Sequence, residues 1–304
     1  MVMFGARGLT DGASAVAYKL RVSPMIIGLT VVALGTSAPE LFISLSSTLH
    51  KTSDMAVANV VGSNIFNTLF IVGVASMAAP MILNKGTVAR EIPVGVLATY
   101  ILFGLTMDRE ISVFDAALLF VSFLGFLIYT VVLARFDYYD SIAEGKEDKI
   151  HEIRPMAWWK ALIFIILGLF GLIYGSDIFV DAAVKIARSL AVSDAIIGMT
   201  IVAGGTSLPE LATTVVAARK GHSEIAIGNV IGSNVFNVLM ILGVSGLISP
   251  LKLYEITMVD FAVLAGSSML IWIFSYTRLT IERWEGALLT SCFVVYMGWL
   301  IYNV

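Results

Sequence analysis

The chain is poor in the side chains that do most soluble chemistry. Its 304 residues include one cysteine, three histidines and 13% Asp, Glu, Lys and Arg. A lone Cys292 cannot form an intrachain disulfide. So few His and Cys argue against zinc or copper sites. A net charge of −3 gives no basic surface for a nucleic acid. The start, MVMFGARGLTDG, has no long apolar stretch before its first charge, so no cleavable signal peptide is expected.

What is abundant is apolar: 58% of residues are AVILMFWYC and the mean hydropathy is +0.92. Soluble domains carry roughly twice this charge. The composition indicates a polytopic membrane protein. At about 20 residues per crossing there is room for about ten helices. Hydropathy and punctuation place them at 1–20, 22–49, 54–79, 90–107, 112–134, 157–189, 194–218, 224–249, 255–276 and 282–302. The runs are unbroken and do not alternate, which excludes a β-barrel. Arg135 to Pro155 is charged throughout and reads as a solvated linker. With the N-terminus outside, 13 of the 19 Lys and Arg fall on the inner side. The positive-inside rule then puts both termini outside and the linker in the cytoplasm.

The most informative feature is a repeat. Shifted by 170 residues, Gly5–Pro80 lies on Gly175–Pro250 without a gap, and 33 of 76 positions are identical. IIGLTVVALGTSAPEL (26–41) matches IIGMTIVAGGTSLPEL (196–211), and AVANVVGSNIFN (56–67) matches AIGNVIGSNVFN (226–237). Five spans per half is an odd number, so the halves cross the membrane in opposite senses, as in secondary transporters. The expected fold is all-α: ten transmembrane helices in two inverted five-helix repeats. The parts are 1–134, a linker at 135–156, and 157–304. Gly175 follows a long apolar run whereas Gly5 follows four residues, so the first helix is expected to be shortened.

Glu40 and Glu210 sit inside apolar spans, each after a Pro in GTSAPE or GTSLPE. A carboxylate at mid-membrane costs ~2.5–3.5 kcal/mol, so such residues face the bundle interior and mark ion paths. Pro39 and Pro209 lack an N–H and break their helices. The carbonyls near Thr36 and Thr206 then become available to a cation. The second motif adds Ser63 and Asn67, with Ser233 and Asn237 as their repeats, four apart on a helix face. Asn59 and Asn229 lie one turn away. All are hard oxygen donors, and Ca²⁺ takes six to eight of them; Na⁺ or Mg²⁺ could use part of the set. Asp11 and Asp181 match in the repeat and read as solvated helix-end residues, while Arg7 stands where the second half has Asp177.

GTSAPE…GSNIFN and GTSLPE…GSNVFN closely resemble the paired α1 and α2 motifs of the Ca²⁺:cation antiporter family, in its prokaryotic sodium/calcium exchanger branch. The resemblance covers essentially the whole chain. It implies a transporter of the prokaryotic plasma membrane, not an enzyme, with no prosthetic group. Its partners would be Ca²⁺, Na⁺ and the lipid bilayer, with no nucleic acid and no obligate protein partner. It implies Na⁺/Ca²⁺ antiport by alternating access, usually three Na⁺ per Ca²⁺. By motif position, Glu40 and Glu210 would be the carboxylates shared by both ions. Thr36 and Thr206 would give carbonyls, and Ser37 and Ser207 would line flanking Na⁺ sites. Ser63, Asn67, Ser233 and Asn237 would complete the set. Many relatives have Asp at one of the two positions that are Asn67 and Asn237 here. That departure leaves Ca²⁺/H⁺ or K⁺-coupled exchange open on the same scaffold; a cation channel is a reading from another class.

Overall fold

The computed structural model describes residues 1–50, 52–143, 156–190, 203–254 and 256–302. The first half runs through helix α1 (Val2–Leu20), α2 (Pro24–Ile27), α3 (Ala33–Thr36), α4 (Ala38–Leu49), α5 (Ser53–Ile65), α6 (Val72–Ala78), α7 (Ile92–Leu105) and α8 (Val113–Ala143). The second runs through α9 (Trp158–Ser189), α10 (Ala203–Thr206), α11 (Leu208–Arg219), α12 (Ser223–Val235), α13 (Leu242–Ile248), α14 (Met258–Arg278) and α15 (Arg283–Tyr302). Seven of the described helices are long and apolar enough to cross a membrane. The number is eight when the pair Pro24–Thr36 and Ala38–Leu49, bent by 49°, is taken as one span. Residues 194–202 of the expected seventh span lie outside the described residues. α1 has 19 residues against 32 in α9. α8 continues helical to Ala143, beyond the expected end at 134; residues 144–155 of the expected linker lie outside the described residues.

Some helices are joined end to end by wider, π-helical turns. Phe66–Ile71 links α5 to α6, and Phe236–Ile241 links α12 to α13. The motif residues Asn67 and Asn237 therefore sit on π turns, not on regular α-helix as their spacing suggested. Such turns concentrate at functional positions because they re-aim side chains within an otherwise continuous helix.

The inverted repeat is visible in backbone pairing. Strands β1 (Met81–Ile82), β2 (Glu110–Ile111), β3 (Leu251–Lys252) and β4 (Thr280–Ile281) form two antiparallel ladders, β1 with β4 and β2 with β3. Met81 pairs with Ile281, and Leu251, its repeat, pairs with Ile111, the repeat of Ile281. Each ladder thus joins the two halves in one preserved register. Arg109 and Leu279, again 170 apart, both hold left-handed backbone (φ 64° and 54°) where the chain turns from helix into strand. Bulky residues tolerate this only where the surroundings enforce it. Here Leu83 N–H donates to the Leu279 carbonyl at 2.8 Å, and Leu253 N–H to that of Arg109 at 3.0 Å.

Packing follows the same symmetry. α6 lies on α15 and α13 on α8, while α4 packs on α5 and α11 on α12. α1 and α9 cross antiparallel through small residues. A Cβ on Gly5 would stand 2.7 Å from the Gly168 carbonyl oxygen, so only glycine permits the approach. Membrane helices associate through such close backbone contact, since lipid offers no hydrophobic drive. The most deeply buried described segment is Ser223–Ile248, 94% of whose apolar window is enclosed. The polar motifs therefore lie in the middle of the molecule, with α8, α14 and α15 towards the outside.

Candidate functional site

Ser37 and Ser207 occupy the one-residue breaks between α3 and α4 and between α10 and α11. Each precedes a helix with Pro at its second position and a glutamate one residue later. Pro39 has no N–H to close on the carbonyl of Gly35, four residues back, and Pro209 none for Gly205. The interruption is short. Ser37 leaves helical geometry only slightly (φ −82°, ψ 8°) and the axis bends without a long unwound stretch. Both glutamates then lie in the first turn of their helices, where the N-terminal end of the dipole favours a carboxylate.

The breaks face each other across the repeat. Ser37 Oγ donates to Glu210 Oε1 at 3.1 Å, and Ser207 Oγ donates to Glu40 Oε1 at 3.1 Å. Glu40 and Glu210 are each 1% exposed, and both serines are fully enclosed. The second carboxylate oxygens, Glu40 Oε2 and Glu210 Oε2, are buried without a hydrogen bond. Thr36 and Thr206 end α3 and α10 beside the serines; Thr36 Oγ1 donates to Asn229 Oδ1 at 3.1 Å.

Asn59 and Asn229 act as latches. Asn59 Nδ2 donates to the Glu40 carbonyl (3.3 Å) and to Ser44 Oγ (3.0 Å). Asn229 Nδ2 donates to the Glu210 carbonyl (3.5 Å) and to Thr214 Oγ1 (3.0 Å). Each thereby fixes the helix turn carrying a glutamate against its own half's second motif helix.

The π turns close the centre. The Phe66–Ile71 turn packs on α11, and the Phe236–Ile241 turn on α4. Asn67 Nδ2 donates to Asn234 Oδ1 (3.1 Å), and Asn237 Nδ2 donates to Asn64 Oδ1 (2.9 Å). With both amide nitrogens committed outward, Asn67 Oδ1 and Asn237 Oδ1 are left buried without a donor, as is Ser233 Oγ. Ser63, its counterpart, is 4% exposed. A buried polar atom lacking a partner costs about 1–3 kcal/mol. Two carboxylate and two amide oxygens are in that condition. Among the described residues no three His, Cys, Asp or Glu side chains gather as a metal group. The candidate centre therefore relies on amides and hydroxyls beside its two carboxylates.

The structure thus brings Ser37, Glu40, Ser207 and Glu210 into one crossed cluster. Asn67 and Asn237 stand on turns packed against the glutamate helices, and Ser63 and Ser233 are buried on α5 and α12. Asn64 and Asn234 were missed as positioning residues, although both stand in the repeated GSN motif. Their side-chain oxygens accept from the amide nitrogens of Asn237 and Asn67 and so fix which way those amides face. One departure from symmetry lies here too. Asn234 Nδ2 donates to Thr68 Oγ1 at 2.8 Å, whereas Asn64 Nδ2 donates to the Asn234 carbonyl at 3.1 Å, because the repeat of Thr68 is Val238.

The family model described as sodium/calcium exchanger protein matches residues 1–132 and 160–302. The chain is 34% identical to the sodium/calcium exchanger MaX1 of Methanosarcina acetivorans, over 98% of this chain and 95% of that one. It is 33% identical to the inner membrane protein YrbG of Escherichia coli, over 99% and 94%. Among solved structures, the sodium-calcium exchanger NCX_Mj superposes with a TM-score of 0.84 at 30% identity, covering 98% of this chain and 94% of that one. The chain, an all-α polytopic membrane protein of two inverted repeats, belongs to the sodium/calcium exchanger family, whose members are transporters and not enzymes.

Proposed function

We propose that the protein is a secondary antiporter that exchanges Na⁺ for Ca²⁺ across the plasma membrane of a prokaryotic cell by alternating access. The observation that carries this reading is the crossed pair of buried glutamates, each held on one oxygen by the other half's serine and bare on the second. Ca²⁺ would take the bare oxygens of Glu40 and Glu210, with Asn67 Oδ1, Asn237 Oδ1, Ser63, Ser233 and carbonyls near Thr36 and Thr206. Na⁺ ions would share the glutamates and use the Ser37 and Ser207 flanks. Two carboxylates balance one divalent charge. The empty centre would hold two uncompensated charges, which opposes passage without cargo and enforces exchange over leak. Residues 1–134 and 157–304 would be the two inverted five-helix repeats, joined by a cytoplasmic linker at 135–156, with both termini outside. No prosthetic group enters; Ca²⁺ and Na⁺ are cargo.

The test is ⁴⁵Ca²⁺ uptake into proteoliposomes loaded with Na⁺, K⁺ or acid buffer. Uptake that follows the outward Na⁺ gradient is expected. Uptake driven by a proton or K⁺ gradient without Na⁺ would replace the Na⁺ coupling, and gradient-independent uptake would overturn antiport altogether.

A further inference from the structure

A cavity of about 560 Å³ opens between the second half of α9 and the two helix breaks. Its floor is formed by Pro39, Pro209 and Thr206, the immediate neighbours of the crossed cluster. Its wall is one face of α9, which presents Ser176, Asp177 and Asp181. Asp177 and Asp181 are four apart and share a helix face. Among the described residues neither is engaged in an ion pair. Ser176 is 4% exposed and its Oγ has no hydrogen-bond partner. A helix-buried serine normally returns its hydroxyl to the carbonyl four residues back, as Thr10 does to Ala6 at 2.7 Å. Ser176 instead stays unbonded at the cavity wall.

The repeat supplies a control within the same molecule. Ile173, Asp177 and Asp181 correspond to Met3, Arg7 and Asp11 of α1. Met3 and Arg7 line a smaller cavity, about 360 Å³, with Arg219 and Lys220. There Asp11 is neutralised by Lys220 Nζ at 2.6 Å. Where α9 presents two unpaired carboxylates and a bare hydroxyl to its cavity, the cavity beside α1 presents Arg7 and Arg219, with Lys220 already paired to the one acid, Asp11.

Resting on the exchanger reading above, we propose that Ser176, Asp177 and Asp181 form a capture site for hydrated cations at the mouth of the passage to Glu40 and Glu210, on one face of the protein only. Two carboxylates in a cavity this wide hold an ion through its water shell and so concentrate cations without binding them tightly. A divalent ion gains twice the Coulomb attraction of a monovalent one, so Ca²⁺ is concentrated more than Na⁺. Field focusing in a low-dielectric cleft raises capture rates, and the effect falls as ionic strength rises.

The experiment measures ⁴⁵Ca²⁺ transport by the full chain in right-side-out and inverted vesicles. Asp177→Asn/Asp181→Asn is expected to raise the half-saturating Ca²⁺ concentration from one face about threefold to tenfold. The maximal rate is expected to hold within about twofold, as for capture without a change in the central site. The shift should shrink when choline chloride is raised. Asp177→Glu/Asp181→Glu should restore the wild-type value, and Ser176→Ala should give a smaller shift on the same face. If the double variant does not reach the membrane, each single Asp→Asn carries the same expectation at reduced size. An unchanged half-saturation, a shift equal on both faces, or a fall in maximal rate alone would overturn the capture site. A wild-type protein that exchanges nothing would instead overturn the functional reading on which it rests.

Discussion

The centre of the molecule and its outer helix pair treat the same duplication in opposite ways. At the centre the repeat is kept in the glutamate contacts: Ser37 to Glu210 and Ser207 to Glu40 have the same length, and both asparagine latches grip the glutamate carbonyl of their own half. In α1 and α9 its charges diverge, with arginine against aspartate at 7 and 177 and an ion pair on Asp11 where, among the described residues, Asp181 has none. Under alternating access the difference has a physical reason. The ions meet the same centre from either side, so both halves must offer equal ligands. The mouths face different solutions and are never used by the same ion in the same step, so nothing holds them equal.

That comparison can be broken or sharpened by substitution. The largest effect is expected from Glu40→Gln and Glu210→Gln. Each keeps an oxygen for its serine yet removes a charge from the set, and each should lower ⁴⁵Ca²⁺ exchange by at least about 100-fold with the protein still folded. Near-equal losses would sharpen the central symmetry; retained exchange in either variant would break the site assignment. A middle effect is expected from Ser37→Ala and Ser207→Ala. A hydrogen bond to a charged group contributes about 1.5–3 kcal/mol, so apparent Na⁺ affinity should fall roughly tenfold or more. Equal losses from the two serines are expected, with Ca²⁺ affinity falling less; a tenfold gap between them would show that the halves are not interchangeable.

The smallest effect lies at the periphery. Burial, reinforced by Lys220, holds the His222 imidazole below its ordinary range, with Asp11 opposing. The folded state therefore takes up this proton at lower pH than the unfolded state does. Stability should decline slightly as pH falls through the ordinary histidine range and the unfolded chain binds its proton first. Thermal unfolding followed from pH 8 to pH 5 should show this slope flattened in His222→Gln. An unchanged slope would show that the His222 imidazole is not held below its ordinary range.

Much of this was legible in the sequence because duplication and polarity are both one-dimensional signals. The apolar runs showed helices, the 170-residue offset showed the inverted halves, and Glu40 and Glu210 stood out as charges that lipid would not tolerate. The serines were implied by resemblance; their crossing onto the opposite glutamates depends on how two helix breaks meet, which no spacing encodes. Asn64 and Asn234 were hidden for a different reason. Their partners are the other half's residues, Asn237 for Asn64 and Asn67 for Asn234, and a contact across some 170 positions leaves no mark in local spacing. The π turns, at repeat-equivalent positions in both halves, break no hydrophobic run and so leave no sign in hydropathy. Asp11, read as solvated, gains a partner from a residue 209 positions away.

The paired ladders carry one more implication. Because β1 finds its partner beyond α14 and β2 finds its partner beyond α13, each half reaches around the other at two separate places. The halves are clasped at both ladders. The two ladders are the backbone seam along which one half is stitched to the other.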